Sequence, residues 1–248
     1  MPVVALLAIW LYLRGTRRLR AKGRDWPIAR TLCFCGGCLV IGAASLVSDR
    51  TFTAHMVEHL LLGMIGPLLI ALAAPMTLAL QTGQPATRLL LRKVLHSRVV
   101  VIFTRPLVAW LLFGGTIVGL YLTPLVGGSQ RNIFLHTLVH VHLLIIGSLF
   151  LWPLVGADPL PARLPFGARL LTVLFAVPFH AFVGLALLSA GSPVAPSIYP
   201  SLSDQHRAAA LLLVSGELLS VTVAGLVFRD WLAADRRTAA RLDRRLGA

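Results

Sequence analysis

Seven stretches of the chain are almost unbroken runs of apolar residues: 2–13, 31–47, 53–80, 99–122, 133–155, 168–190 and 208–228. All but the first approach or exceed the roughly 20 residues a helix needs to cross a bilayer. The pattern predicts an all-α, polytopic membrane protein built as a seven-transmembrane-helix bundle. Its domain organisation reads as a single transmembrane domain over 1–229 and a short basic tail over 230–248. The first run is followed, not preceded, by a basic cluster and lacks an Ala-x-Ala site, which argues against a cleaved signal peptide.

Polar residues inside these runs carry the next layer of information. His55 and His59 head the third run and His136 and His140 the fifth. On a helix the i,i+4 spacing puts both rings of a pair on one face, about 6 Å apart. Ionisable groups are costly in hydrocarbon and normally mark a working site. Glu58, His180 and Glu217 also fall inside apolar runs, and Asp204, Gln205 and His206 lie just before the last one.

Composition supports the membrane reading: 57% of the chain is hydrophobic and 13% charged, with mean hydropathy +0.82, outside ordinary soluble usage. Charge then orients the bundle. All but Arg50, Arg131 and Arg207 of the 23 basic residues fall in the connections on one side or in the tail. The positive-inside rule places the amino terminus outside and the carboxyl terminus in the cytoplasm. The net charge of +14 is accounted for by this asymmetry and by attraction to an anionic lipid surface. No soluble domain with aromatics interleaved on a basic face is present, so no nucleic-acid partner is expected.

In this orientation the polar groups share a level. At 1.5 Å per residue, His140 lies roughly 10 Å, Glu217 roughly 13 Å and His180 roughly 15 Å below the outer surface. The convergence predicts one metal site in the outer half of the bundle, with His55, His59, His136 and His140 as ligands. Glu58, Met56, His180, Asp204, Gln205 and Glu217 are further candidates. Imidazole suits copper, zinc, iron and nickel; copper or zinc follows from chemistry alone. Met56 points about 100° away from His55 on an ideal helix.

Other polar residues have plainer readings. His142 and His180 fit hydrogen-bonded helix contacts, and His96 lies in a basic loop. Cys33, Cys35 and Cys38 sit in the inner half beside Gly36 and Gly37, where small residues favour close helix packing. Pro67, Pro75 and Pro178 interrupt the third and sixth runs and predict kinks.

The segments Phe52-Thr-Ala-His55-Met-Val-Glu-His59-Leu-Leu-Leu, Gly66-Pro67-Leu-Leu and Ala74-Pro75-Met-Thr-Leu-Ala-Leu carry a family resemblance. So do His136-Thr-Leu-Val-His140, Leu151-Trp-Pro-Leu-Val-Gly156, Asp158-Pro159-Leu-Pro161, Pro178-Phe-His-Ala-Phe, Tyr199-Pro200, Asp204-Gln205 and Ser215-Gly216-Glu217. In order along nearly the whole chain, they resemble the polytopic CtaG-type cytochrome c oxidase assembly factors. The resemblance implies a multi-pass protein of the bacterial plasma (inner) membrane that matures haem–copper oxidases and delivers copper to them. Its partners would be an oxidase membrane subunit and a copper donor protein. His55, His59 and His136 match the family's histidines, with Asp204, Gln205 and Glu217 as matching polar positions. The chain departs from the pattern in three places. Glu58 stands where many relatives have glutamine. Tyr121-Leu-Thr123-Pro124 lacks the histidine many relatives carry before that proline, and His140 stands where another residue is common.

The expected function is therefore a copper-handling assembly factor and not an enzyme. Two alternatives use the same residues. A seven-helix zinc hydrolase would activate water with histidines and a carboxylate, Glu58 or Glu217 acting as base. A b-haem electron-transfer protein would ligate iron with histidines on facing helices.

Overall fold

A computed structural model describes residues 2–47, 49–160 and 164–246; Pro161 and Arg163 of the sequence reading lie outside the described residues. The regular elements are helical: α1 (Pro2–Arg20), α2 (Ile28–Ala44), α3 (Phe52–Leu72), α4 (Pro75–Thr82), α5 (Pro85–Leu95) and α6 (Arg98–Phe103). They continue with α7 (Pro106–Tyr121), α8 (Leu125–Arg131), α9 (Ile133–Val155), α10 (Phe166–Ser189) and α11 (Leu202–Leu246).

Four of these, α3, α9, α10 and α11, are long and apolar enough to cross a membrane. A fifth is added if α7 and α8, bent by 73°, form one broken span. Helix α2 has 17 residues, at the lower limit of spanning length. Side chains such as Val3, Ile133, Leu174 and Val221 stand more than half exposed on the outside. Such a large apolar exterior fits lipid and not water. The chain is a multi-pass membrane protein.

Prolines set where the helices start. Pro75, Pro85 and Pro106 occupy first-turn positions of α4, α5 and α7, where the missing N–H costs nothing. The apolar run 53–80 is consequently two helices. It breaks at Ala74, whose φ of 51° is left-handed, and Asp158 caps the restart by accepting from the backbone N–H groups of Met76 and Thr77. The run 99–122 likewise divides before Pro106, since the residue preceding a proline is driven out of helical geometry. The last helix continues into the basic tail: α11 runs unbroken for 45 residues, about 67 Å at 1.5 Å per residue.

Helix α3 is the axis of the bundle. It packs against α2, α9 and α11 and is buried over far more of its length than α11. Inside it, a π-helical turn at Leu61–Ile65 precedes Pro67. The wider turn absorbs the disruption caused by a proline that lacks a donor for the Gly63 carbonyl.

Candidate metal centre

Three local devices bring the histidine pairs together. The first fixes the start of α3. The Thr51 side chain accepts from Ala54 N–H, and Asp204 on α11 accepts from Phe52 N–H at 2.6 Å and from the Thr53 hydroxyl at 2.6 Å. A carboxylate at a helix amino terminus also meets the positive end of the dipole. The second fixes the start of α9, where the Asn132 side chain accepts from Phe134 and Leu135 N–H.

The third sets the distance between the helices. Gly63 is one turn below His59 on α3, and Gly147 is two turns below His140 on α9. A Cβ added to Gly147 would lie 2.1 Å from the Gly63 carbonyl oxygen. The two backbones therefore meet where only hydrogen atoms fit, and the histidine faces above them are held against one another.

The four rings form a compact block. Centroids of His55 and His59 are 4.0 Å apart and those of His136 and His140 4.1 Å apart. Across the helix interface, His55 lies 6.0 Å from His136 and His59 lies 5.6 Å from His140. Glu58 reaches between the α9 pair, with its oxygens 3.8 Å from His136 Nε2 and 3.5 Å from His140 Nε2. Asp49, in the connection before α3, approaches from above, 3.7 Å from His55 Nδ1 and 3.4 Å from His136 Nε2.

The ligand atoms of Glu58, His136 and His140 lie within 4.8 Å of one another, as do those of Asp49, His55 and Glu58. Glu58 belongs to both triplets, and His59 to neither.

Neighbouring groups orient two of the rings. Tyr121 OH and His59 Nδ1 are 2.9 Å apart; with the ring donating to the phenol oxygen, Nε2 keeps a free lone pair. Gln130 Nε2 lies 2.9 Å from His55 Nδ1 and donates to Asp49 at 3.3 Å. Burial raises the Asp49 carboxyl, but its contacts with His55, Glu58 and Gln130 outweigh that effect and hold it below the usual carboxylate range.

What remains is a set of polar atoms with nothing to bond. Asp49 Oδ1, His55 Nε2, Glu58 Oε2, His59 Nε2 and His140 Nε2 are buried and have no hydrogen-bond partner. Orphaned buried polar atoms cost about 1–3 kcal/mol each. Five within one cluster, all nitrogens and carboxylate oxygens, constitute a donor set suited to a transition-metal ion.

The further candidates are placed elsewhere or do other work. Asp204 spends its carboxylate on the start of α3, and Gln205 bonds Val194 N–H and the Leu187 carbonyl; both are positioning residues. Met56 is fully buried in the main apolar core. His180 is buried beside Phe113, at 5.6 Å, and against Gly216, outside the four-ring block. Glu217 is exposed on the outside of α11. His142 bonds Thr116 at 2.9 Å, a helix–helix contact. Asp49, Tyr121 and Gln130 were not among the sequence candidates. The legible signal was the Asp49 carboxylate six residues before His55.

The fold and the site together define a multi-pass helical membrane protein with a buried histidine–carboxylate cluster at one end of its central helices. The chain belongs to the cytochrome c oxidase caa3 assembly factor family (Caa3_CtaG), whose model matches residues 10–234. Uncharacterized proteins of Mycobacterium bovis and Mycobacterium tuberculosis are each 35% identical to it over 254 residues, covering 94% of this chain. One from Mycobacterium leprae is 33% identical over the same length. The chain spans 38% of the length of these relatives. No solved structure matches it.

Proposed function

We propose that the protein captures copper at the His55–His59–His136–His140 cluster and passes it to a membrane subunit of a haem–copper cytochrome c oxidase during assembly. The observation that carries this reading is the set of five buried, unpartnered donor atoms. Copper is cargo here, so the site must also release it. A cluster with more donors than one ion needs, Glu58 shared between two overlapping triplets, offers exchange of ligands without full dissociation. The family's description as an oxidase assembly factor supplies the recipient. The role is that of a carrier, with no catalysed bond change.

The topology belongs to the same proposal. Seven membrane-crossing segments, the amino terminus outside and the carboxyl terminus in the cytoplasm, are supported by the one-sided distribution of basic residues. The cluster then faces the outer side of the bacterial plasma membrane, the basic connections contact anionic lipid, and a donor protein delivers copper from outside. Residues 1–229 act as one transmembrane unit and 230–248 as its basic tail.

Elemental analysis of the purified protein, wild type against His55→Ala/His59→Ala, tests the assignment together with oxidase activity in cells. Copper in the wild type, lost with oxidase activity in the double variant, is the expected result. Unchanged copper and unchanged oxidase would end the proposal. Zinc in place of copper, with hydrolysis of a lipid amide, would select the water-activating chemistry that a histidine–glutamate set also permits.

A further inference from the structure

A second polar site lies at the opposite end of the bundle. Helices α3 and α9 both start at the metal cluster and both end, at Leu72 and Val155, on a cavity of about 690 Å3. Its walls carry four arginines, Arg30, Arg169, Arg229 and Arg237, against two aspartates, Asp158 and Asp230.

The aspartates do not balance the arginines. Asp158 is already occupied: it accepts from Met76 N–H, from Thr77 N–H and hydroxyl, and from the Trp152 indole. Arg169 is equally committed, donating to the carbonyls of Leu154 and Val155 and to Asp230. Asp230 is therefore shared between Arg169 at 3.3 Å and Arg229 at 3.6 Å.

Arg30 and Arg237 have no ion-pair partner among the described residues. The Arg30 guanidinium is held over the Trp26 ring at 4.9 Å, a fixed position for a cation. The same cavity is also lined by hydrocarbon, supplied by Leu72, Phe166 and Leu226.

A cavity of ligand size lined by both unpaired cations and apolar side chains matches an amphiphile with an anionic head. We propose that it binds the phosphate of an anionic phospholipid, with Arg30 and Arg237 on the phosphate and the start of an acyl chain against Phe166 and Leu226. Basic pockets between membrane helices select such headgroups. A soluble phosphate ester shares the head chemistry but has no use for the apolar wall. The site is independent of the metal cluster and of the proposed copper cargo.

The test uses the purified full-length protein in detergent, with native mass spectrometry of bound phosphatidylglycerol against phosphatidylcholine. Phosphatidylglycerol should be retained preferentially by about tenfold. Arg30→Gln/Arg237→Gln should abolish that preference. Arg241→Gln/Arg244→Gln, which removes the same charge from the tail outside the cavity, should leave it intact. Equal retention of the two lipids, or equal loss in both variants, would overturn the site. Displacement of phosphatidylglycerol by millimolar inorganic phosphate would overturn the lipid assignment in favour of a soluble phosphate.

Discussion

His59 Nδ1 and Tyr121 OH lie 2.9 Å apart, so α7 reaches the histidine cluster through a hydrogen bond to one of its rings. The phenol fixes which nitrogen of His59 faces the cluster. It stands at the end of α7, immediately before the turn at Thr123-Pro124. Thr123, nearest that proline, is exposed and bonds the Gly119 carbonyl, leaving α7 without a ligand of its own.

Tyr121→Phe should therefore keep the fold and weaken metal retention. Groups that orient metal-binding histidines are worth about 10–100-fold in affinity. A titration of the purified variant against a competing chelator measures this. Wild-type affinity would show that the phenol is only a packing contact.

Gly147→Ala tests what sets the spacing of α3 and α9. The obstacle to a methyl group is the Gly63 carbonyl oxygen, which is backbone and cannot swing aside. The helices must separate or shift, at a cost typical of overpacking, about 1–3 kcal/mol. Thermal unfolding in detergent should show the loss, and bound metal should fall with it because the His55–His136 and His59–His140 faces part. A stable variant with full metal content would show that the crossing is not what holds the rings together.

The divide between what was legible in the sequence and what was not follows physical lines. The two i,i+4 pairs and their common level were readable because helical periodicity is local and the apolar runs fix depth. The structure brings all four rings within 6.0 Å of a neighbour. Rotation about the helix axis was not readable for isolated residues. His180 and Glu217 have suitable depth, but one faces Phe113 and the other the exterior. Asp204 and Gln205 are metal candidates by sequence, but in the structure they pin chain segments, a distinction that depends on contacts 152 and 18 residues away in sequence. The break of the long run at Ala74 was hidden because the αL residue is an alanine, not the glycine that usually announces such a turn.

Asp204→Ala should release the first turn of α3. Loss of a capping carboxylate costs about 0.5–2 kcal/mol; Phe52 N–H loses its acceptor, and the Thr53 hydroxyl keeps only the Asp204 backbone carbonyl. Metal retention should drop less than in His55→Ala, since no ligand is removed. Asp204→Asn, which keeps one acceptor oxygen, should recover part of the stability in the same thermal assay. If Asp204→Ala abolished metal binding while leaving unfolding unchanged, the carboxylate would have to be a ligand.

Glu58 separates a metal-binding role from a structural one most cleanly, because the two predict opposite signs. A buried carboxylate is expensive in the absence of a compensating cation, and Glu58 Oε2 has no hydrogen-bond partner. Glu58→Gln removes the charge at nearly constant volume, so the metal-free protein should unfold at the same temperature or higher. A divalent ion, by contrast, loses an anionic ligand shared by both donor triplets, so its affinity should fall by at least about tenfold, the equivalent of one charge-assisted contact. Elemental analysis after dialysis against chelator and thermal unfolding without metal give the two readouts on one preparation. A variant that is destabilised without metal yet retains its copper would reverse both signs, and would identify Glu58 as a packing residue whose proximity to His136 and His140 has no part in metal handling.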